Sequence, residues 1–150
     1  RDSYTPVVDS SAIPTGEIAS VEGTPMDFRT EKQIGQDIRA DFEQLHFTGG
    51  YDHNYVLGRP GEKKIMANAY CRESGIALEA ATDCCGVQFY AGNFIGEQTG
   101  KGGASYHDRS AFCLESQFYP NAVNEPDFPS PVVKAGDTYH TETSYLFYLR

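Results

Sequence analysis

Short runs in which apolar and polar residues alternate one by one restrict this chain to a β-rich fold. The alternating apolar positions are Ile76, Leu78 and Ala80; Val87 and Phe89; Phe112 and Leu114; and Tyr145, Phe147 and Leu149. Successive side chains of a strand point to opposite faces, so this period predicts half-buried strands. Loop-forming clusters separate the runs, namely GRPGE (58–62), GEQTGKGG (96–103) and NEPDFPSP (124–131). The pattern predicts an all-β fold, an antiparallel β-sandwich.

One stretch departs from this period and predicts a short helix from about residue 31 to 45. Helical spacing connects the apolar residues Ile34, Ile38, Phe42 and Leu45. Thr30 is suited to the N-cap, Gln33 would complete a capping box, and Gly49 would end the helix. We expect the apolar side chains to pack against the core and the charged face to contact solvent.

Length and charge exclude several classes of protein. The 150 residues suit one domain, and 39% apolar residues are enough for a core. No apolar run reaches about 18 residues, and nothing at the start resembles a signal peptide, so we expect no membrane insertion. A net charge of −9 argues against nucleic acid or an anionic membrane as partner and suits a neutral ligand.

The cysteines predict free thiols rather than a metal site. They are Cys71, Cys84, Cys85 and Cys113, and they lack the paired CxxC spacing of zinc sites. We therefore expect no metal or organic cofactor and a reducing, cytoplasmic location. A disulfide from Cys71 or Cys113 to one of the adjacent pair is the alternative.

Glu115 is a carboxylate within a run that otherwise indicates a buried strand, FCLESQFYPNAVNEPDF (112–128). In a strand, one face would carry Ala111, Cys113, Glu115 and Gln117, and the other Phe112, Leu114, Ser116 and Phe118. An ionised carboxylate in an apolar setting is costly unless it is paired, and such a setting can tune it for proton transfer. The alternative is a glutamate on an edge strand that faces water.

Five segments resemble the aldose 1-epimerase, or galactose mutarotase, family, and they occur in the family's order. They are IPTGE (13–17), VEGTPMDFR (21–29), GGYDHNYVL (49–57), GVQFYAGNF (86–94) and CLESQFYPNAVN (113–124). The resemblance covers essentially the whole chain. It implies the β-supersandwich of that family and interconversion of the α and β anomers of aldohexoses such as galactose and glucose, without a cofactor.

The resemblance also implies roles for three residues. Glu115 matches the family's catalytic base, Asp52 matches an aspartate that hydrogen-bonds sugar hydroxyls, and Gln88 matches a glutamine near the sugar. Cys85 departs from the pattern, because the family usually has proline before the glycine of GVQFY. The turn loses a fixed φ there, which affects the expected geometry around Gln88.

The chain resembles only the carboxy-terminal part of a family member. The segments that carry an arginine and two histidines of the sugar site, one of them the catalytic acid, have no counterpart in residues 1–150. None of the four histidines, His46, His53, His107 and His140, matches that acid. We therefore expect residues 1–150 to form part of one epimerase domain, to be inactive alone, and to have the amino-terminal half as partner and an aldohexose as substrate.

Two other functions fit the same residues. A non-catalytic carbohydrate-binding module could keep the fold and the sugar contacts, since fold alone does not determine function. A glycoside hydrolase could use Asp52 and Glu115 as an acid and base pair. Aromatic rings also pack on sugars, and Tyr51, Phe89 and Tyr90 lie in the right segments, but core packing is their default role.

Overall fold

A computed structural model describes residues 2–150. The elements in these residues are β1 (Ser3–Thr5), β2 (Ala19–Ser20), α1 (Glu43–Thr48), β3 (Asp52–Val56), β4 (Lys64–Tyr70), β5 (Ile76–Thr82), β6 (Gly86–Tyr90), β7 (Gln98–Thr99), a single 3₁₀ turn (Lys101–Gly103), β8 (Ser105–Tyr106), β9 (Cys113–Gln117) and β10 (Thr143–Leu149). The alternating runs of the sequence fall on β5, β6, β9 and β10, although Phe112 precedes β9. The expectation of a half-buried strand is wrong for β10, where residues 144–149 are all exposed.

The strands form two main sheets, in which every pairing is antiparallel. A five-stranded sheet has the order β2-β1-β3-β6-β9, and a three-stranded sheet has the order β10-β5-β4. A separate hairpin joins β7 to β8. Consecutive residues of β3, β6 and β9 lie in register, and this register positions the site described below.

The two sheets enclose one core, so the predicted antiparallel β-sandwich is confirmed. The five-stranded sheet contributes Tyr4, Tyr55, Val87 and Phe89, and the three-stranded sheet contributes Met66 and Ala80. The rings of Tyr51 and Phe89 stack with centroids 5.4 Å apart, and Phe28 meets both rings edge to face. Both Tyr51 and Phe89 are therefore core residues.

Hydroxyl groups connect β10 to β9 across the sandwich. The Thr143 hydroxyl lies 2.6 Å from that of Ser116 and 3.0 Å from that of Thr82. Tyr145 donates its phenolic hydrogen to the carbonyl of Leu114 at 2.9 Å. Because β9 carries Glu115, these contacts fix the strand beneath that residue.

The predicted helix over residues 31–45 is wrong in its extent. Residues 31–42 form successive turns, and α1 covers only Glu43–Thr48. The Lys32 ammonium donates to the Pro25 carbonyl and to Asp37, which holds this stretch in a non-helical path. Ile38 is nevertheless buried in the core, and Gly49 ends α1 in the left-handed conformation, as expected.

Strand β10 lies at an edge of its sheet and exposes large apolar side chains. Leu146 is 58% exposed, Phe147 66% and Leu149 82%. Exposed apolar surface of this extent on an edge strand is typical of a surface that another segment covers. No helix of residues 2–150 is long and apolar enough to span a membrane.

Candidate functional site

Three neighbouring strands bring the three predicted site residues to one face of the five-stranded sheet. Gln88 of β6 lies opposite Glu115 of β9, and Asp52 of β3 lies one pleat further along, opposite Tyr90. Side chains of residues directly opposite one another point to the same side of a sheet. The antiparallel register therefore collects residues from three distant segments of the sequence.

These side chains line an open cleft of about 400 Å³. Its lining residues are Ala12, Asp52, Gln88, Tyr90, Phe94, Glu115, Gln117 and Pro120. The floor is polar, because carboxylates and amides cover it, and Phe94 contributes an apolar rim that is 71% exposed. A polar floor beside an aromatic ring suits a molecule that is hydroxylated on its edges and apolar on one face.

Asp52 and Gln88 are joined by a hydrogen bond. The Gln88 amide donates to Asp52 Oδ1 at 2.8 Å, and both side chains are partly buried. This bond leaves Oδ2 of Asp52 and the second amide hydrogen of Gln88 for a ligand. The substitution of Cys85 for proline leaves Gln88 in register with Asn54 and Glu115.

Glu115 lies on β9, which forms an edge of the five-stranded sheet. The expectation of a buried run is wrong here, because Glu115 is exposed and Phe112 is 37% exposed. Within residues 2–150, the Glu115 carboxylate accepts no hydrogen bond and forms no ion pair. Both of its oxygens are thus open to the cleft.

His53 occupies the face opposite the cleft, as the alternation predicts. Its ring is fully buried, and Nδ1 accepts a hydrogen bond from the backbone N–H of Asp52 at 3.2 Å. The ring proton therefore lies on Nε2, which has no partner among the described residues. Burial lowers the pKa of His53 from 6.5 to about 4, so the ring is neutral near pH 7.

All four cysteines are free, which confirms the expected thiols. Desolvation, followed by the negative charges of Glu115 and Asp52, raises the pKa of the Cys113 thiol, which lies two residues before Glu115 on β9. The Cys84 sulfur lies 3.0 Å from the Thr141 hydroxyl, which itself donates to Asp83 at 2.6 Å. Among the described residues, no group of three or more potential ligands could hold a metal ion.

The sequence did not identify Gln117 or Phe94 as site residues. The predicted strand placed Gln117 on the same face as Glu115, which was the available signal. Its amide donates to Gln88 Oε1 at 3.3 Å and to Asn54 Oδ1 at 3.4 Å. Phe94 was included in a matching segment, and its backbone N–H donates to the Tyr90 hydroxyl at 2.9 Å.

Comparisons with a family model and with curated proteins indicate the same family. The family model described as aldose 1-epimerase matches residues 1–146. Galactose mutarotase from Sus scrofa is 44% identical over 147 residues, and aldose 1-epimerase from Escherichia coli (strain K12) is 36% identical over 149 residues; each alignment covers 97% of this chain. The chain spans 41% and 42% of the length of these two relatives, respectively.

Solved structures agree with the sequence relatives. A homologue of GalM/aldose epimerase from C. elegans superposes with a TM-score of 0.78 at 30% identity, over 99% of this chain and 43% of that one. The galactose 1-epimerase from Lactobacillus acidophilus NCFM gives a TM-score of 0.63 at 27% identity, over 79% of this chain and 33% of that one.

Proposed function

The chain belongs to the aldose 1-epimerase family, and from that premise we propose that it supplies the base and part of the sugar site of a mutarotase. The reaction is the interconversion of the α and β anomers of an aldohexose such as galactose or glucose. The observation that carries the proposal is the register of β3, β6 and β9, which gathers Asp52, Gln88 and Glu115 in one cleft.

The chemistry requires two proton-transfer groups. A base removes the proton from the anomeric hydroxyl while an acid protonates the ring oxygen, so the bond from the anomeric carbon to the ring oxygen breaks and an aldehyde forms. Rotation about the bond beside the aldehyde exposes its other face, and ring closure returns both protons. No net oxidation or reduction occurs.

Glu115 is the proposed base. Its carboxylate is open to the cleft and accepts no hydrogen bond within residues 2–150, so it can receive the proton of a sugar hydroxyl. Asp52 has a different environment, because the Gln88 amide donates to it at 2.8 Å. That bond suits Asp52 to orienting hydroxyl groups, with the remaining amide hydrogen of Gln88 as a further donor.

The acid is proposed to come from outside residues 1–150. The family resemblance assigns it to a histidine of the amino-terminal half, and His53 is buried on the opposite face of the sheet. The same half is the proposed cover for β10, whose Leu146, Phe147 and Leu149 are largely exposed. Residues 1–150 alone would therefore bind sugar weakly and be inactive. The four free thiols support a cytoplasmic location.

Polarimetry tests the proposal. The protein at natural length should speed the approach of freshly dissolved α-galactose or α-glucose to rotational equilibrium, and residues 1–150 alone should not. Glu115→Gln keeps the shape of the side chain and removes the base, so we expect kcat to fall by about a hundredfold or more. Glu97→Gln removes a charge from an exposed residue outside the cleft and is the matched control.

Two outcomes would replace the proposal. Sugar binding without any acceleration of mutarotation would indicate a non-catalytic carbohydrate-binding module. Release of a reducing sugar from a glycoside, abolished by either Asp52→Asn or Glu115→Gln, would indicate a hydrolase that uses the two carboxyl groups as a pair.

A further inference from the structure

Three side chains from three strands form one line of hydrogen bonds along the floor of the cleft. Gln117 of β9 donates to Gln88 Oε1 at 3.3 Å, and Gln88 of β6 donates to Asp52 Oδ1 of β3 at 2.8 Å. Gln117 is thus two bonds from Asp52, although β6 lies between their strands. Its part in this line makes it more than a lining residue.

The direction of the line follows from chemistry. An ionised carboxylate only accepts hydrogen bonds, so Gln88 must turn its NH₂ group toward Asp52. The carbonyl oxygen of the same amide then faces away from Asp52 and needs a donor. Gln117 supplies one, and its own Oε1 accepts no hydrogen bond from residues 2–150.

A second contact holds Gln117 in this orientation. Its NH₂ group also lies 3.4 Å from Oδ1 of Asn54, which is 1% exposed. Position 86 is occupied by glycine, and a Cβ added there would overlap Asn54 Oδ1 and approach Tyr119 Cδ1 to 2.9 Å. The missing side chain leaves room for Asn54 Oδ1 between the strands, where one amide reaches both acceptors.

We propose that Gln117 is a positioning residue that holds the Gln88 amide in the orientation that donates to Asp52. This inference rests on the proposed mutarotase function, in which Asp52 and Gln88 contact the sugar. Gln117 acts through Gln88 and does not take part in proton transfer. Without it, Oε1 of Gln88 loses its donor, and only the bond to Asp52 holds the amide. The amide can then swing away from the Asp52 carboxylate, which weakens sugar binding and leaves Glu115 intact.

Enzyme kinetics at natural length test the inference with two variants. Gln117→Met keeps the length of the side chain and removes the donor, so we expect KM to rise about five- to tenfold while kcat changes less than about twofold. Gln117→Glu has the same shape as glutamine but only accepts at neutral pH. It should draw the Gln88 NH₂ group away from Asp52, so KM should rise further than in Gln117→Met.

The isosteric variant separates positioning from packing, because a residue that only fills space would tolerate glutamate and glutamine equally. A double-mutant cycle gives a second test that distinguishes positioning from packing. On a Gln88→Met background, Gln117→Met should change KM less than about twofold, since the residue it acts through is gone. The inference would be overturned if the KM increases of Gln88→Met and Gln117→Met multiply in the double variant. It would also be overturned if Gln117→Glu keeps the KM of the unsubstituted protein.

Failure of the inference is distinguishable from failure of the proposed function. If the unsubstituted protein accelerates no aldose, the function has failed, and the line of hydrogen bonds is then tested without a sugar. In ¹⁵N-labelled protein, the side-chain NH₂ resonances of Gln88 should shift and exchange faster with solvent in Gln117→Met. Unchanged resonances would refute the role of Gln117 whether or not the protein is active.

Discussion

Acid should destabilise this fold through His53. An unfolded histidine has a pKa near 6.5, whereas burial lowers the pKa of folded His53 to about 4. Between these values the unfolded chain binds a proton that the folded chain does not, so stability falls as the pH decreases through this window. The linkage relation gives a loss of about 2 kcal/mol at about pH 5 and about 3 kcal/mol at about pH 4.

The structure supports this size of effect. The ring is fully buried, its Nδ1 already accepts the Asp52 N–H, and its Nε2–H meets no acceptor within residues 2–150. A second proton would therefore break one hydrogen bond and add a buried charge without a carboxylate partner. Asp27 has a pKa lowered from 3.8 to about 2, so its contribution changes mainly below this window.

Urea unfolding of the natural-length protein at about pH 7, 5 and 4 measures the effect. His53→Gln removes the titrating ring and can keep an acceptor for the Asp52 N–H. We expect this variant to be less stable at neutral pH, yet to lose about 3 kcal/mol less than the parent between about pH 7 and pH 4. His107→Gln changes an exposed histidine and is the matched control for loss of an imidazole ring.

The change in the free energy of unfolding with pH decides the outcome, and the absolute stability does not. If the parent and His53→Gln lose the same free energy of unfolding between about pH 7 and pH 4, within about 1 kcal/mol, the reasoning is refuted. An NMR titration of the ring gives an independent measurement, because His53 should stay neutral in the folded protein well below the ordinary histidine pKa of 6.5.

Two further predictions concern the ties between the sheets and the exposed thiols. Thr143→Val keeps the shape of the side chain and removes the hydroxyl that contacts Ser116 and Thr82, so urea unfolding should show a loss of about 1–3 kcal/mol. Iodoacetamide should label Cys71 faster than Cys113 in a mass-spectrometric time course. Hydrogen bonds from Ser74 lower the pKa of the Cys71 thiol, whereas desolvation and nearby carboxylates raise that of Cys113, and the thiolate is the reacting form.

Each of these predictions has an internal comparison. Thr99→Val changes an exposed threonine of the β7–β8 hairpin, and an equal loss of stability there would contradict the role of the Thr143 hydroxyl. The buried Cys84 and Cys85 should react more slowly than either exposed cysteine. Faster labelling of Cys113 than of Cys71 would show that access, and not thiolate population, governs the reaction.

The local sequence pattern was sufficient to predict the strands but not to predict which strands contact one another. The period of two predicted β5 and β10 correctly as strands, because successive side chains of a strand point to opposite faces. It did not predict burial, since Ile76 is 48% exposed while Ala77 is buried, and residues 144–149 of β10 are all exposed. That Thr143 of β10 would meet Ser116 of β9 depends on how two sheets stack, and no local period encodes it. The exposure of Phe147 could not be predicted for the same reason, because burial depends on what packs against the strand.

The stretch before α1 shows a different limit. Ile34 and Ile38 have helical spacing and do pack against the core, so the apolar pattern predicted burial correctly. Their backbone forms turns, since Lys32 bonds to the Pro25 carbonyl and to Asp37 instead of extending along a helix. Tertiary contacts outweighed a weak local preference there.

The strand pattern alone singled out Glu115, but the proposed roles of the site residues came from the matching segments. Asp52, Gln88 and Glu115 were predicted by resemblance, and the strand register brings them to one cleft. Gln117 was placed on the correct face, yet its partner Gln88 lies 29 positions away in sequence. A residue that orients another side chain can be recognised only from the contact between the two, which the fold creates.

Two carboxylates in one cleft can take different roles because their surroundings differ. Asp52 receives an amide hydrogen from Gln88, which is itself oriented by Gln117, so this carboxylate is committed to accepting hydrogen bonds. Glu115 has no such donor in residues 2–150, and its oxygens remain open to a substrate proton. In the proposed mutarotase, the line of amides would separate binding by Asp52 from proton transfer by Glu115, although both carboxylates line the same cleft.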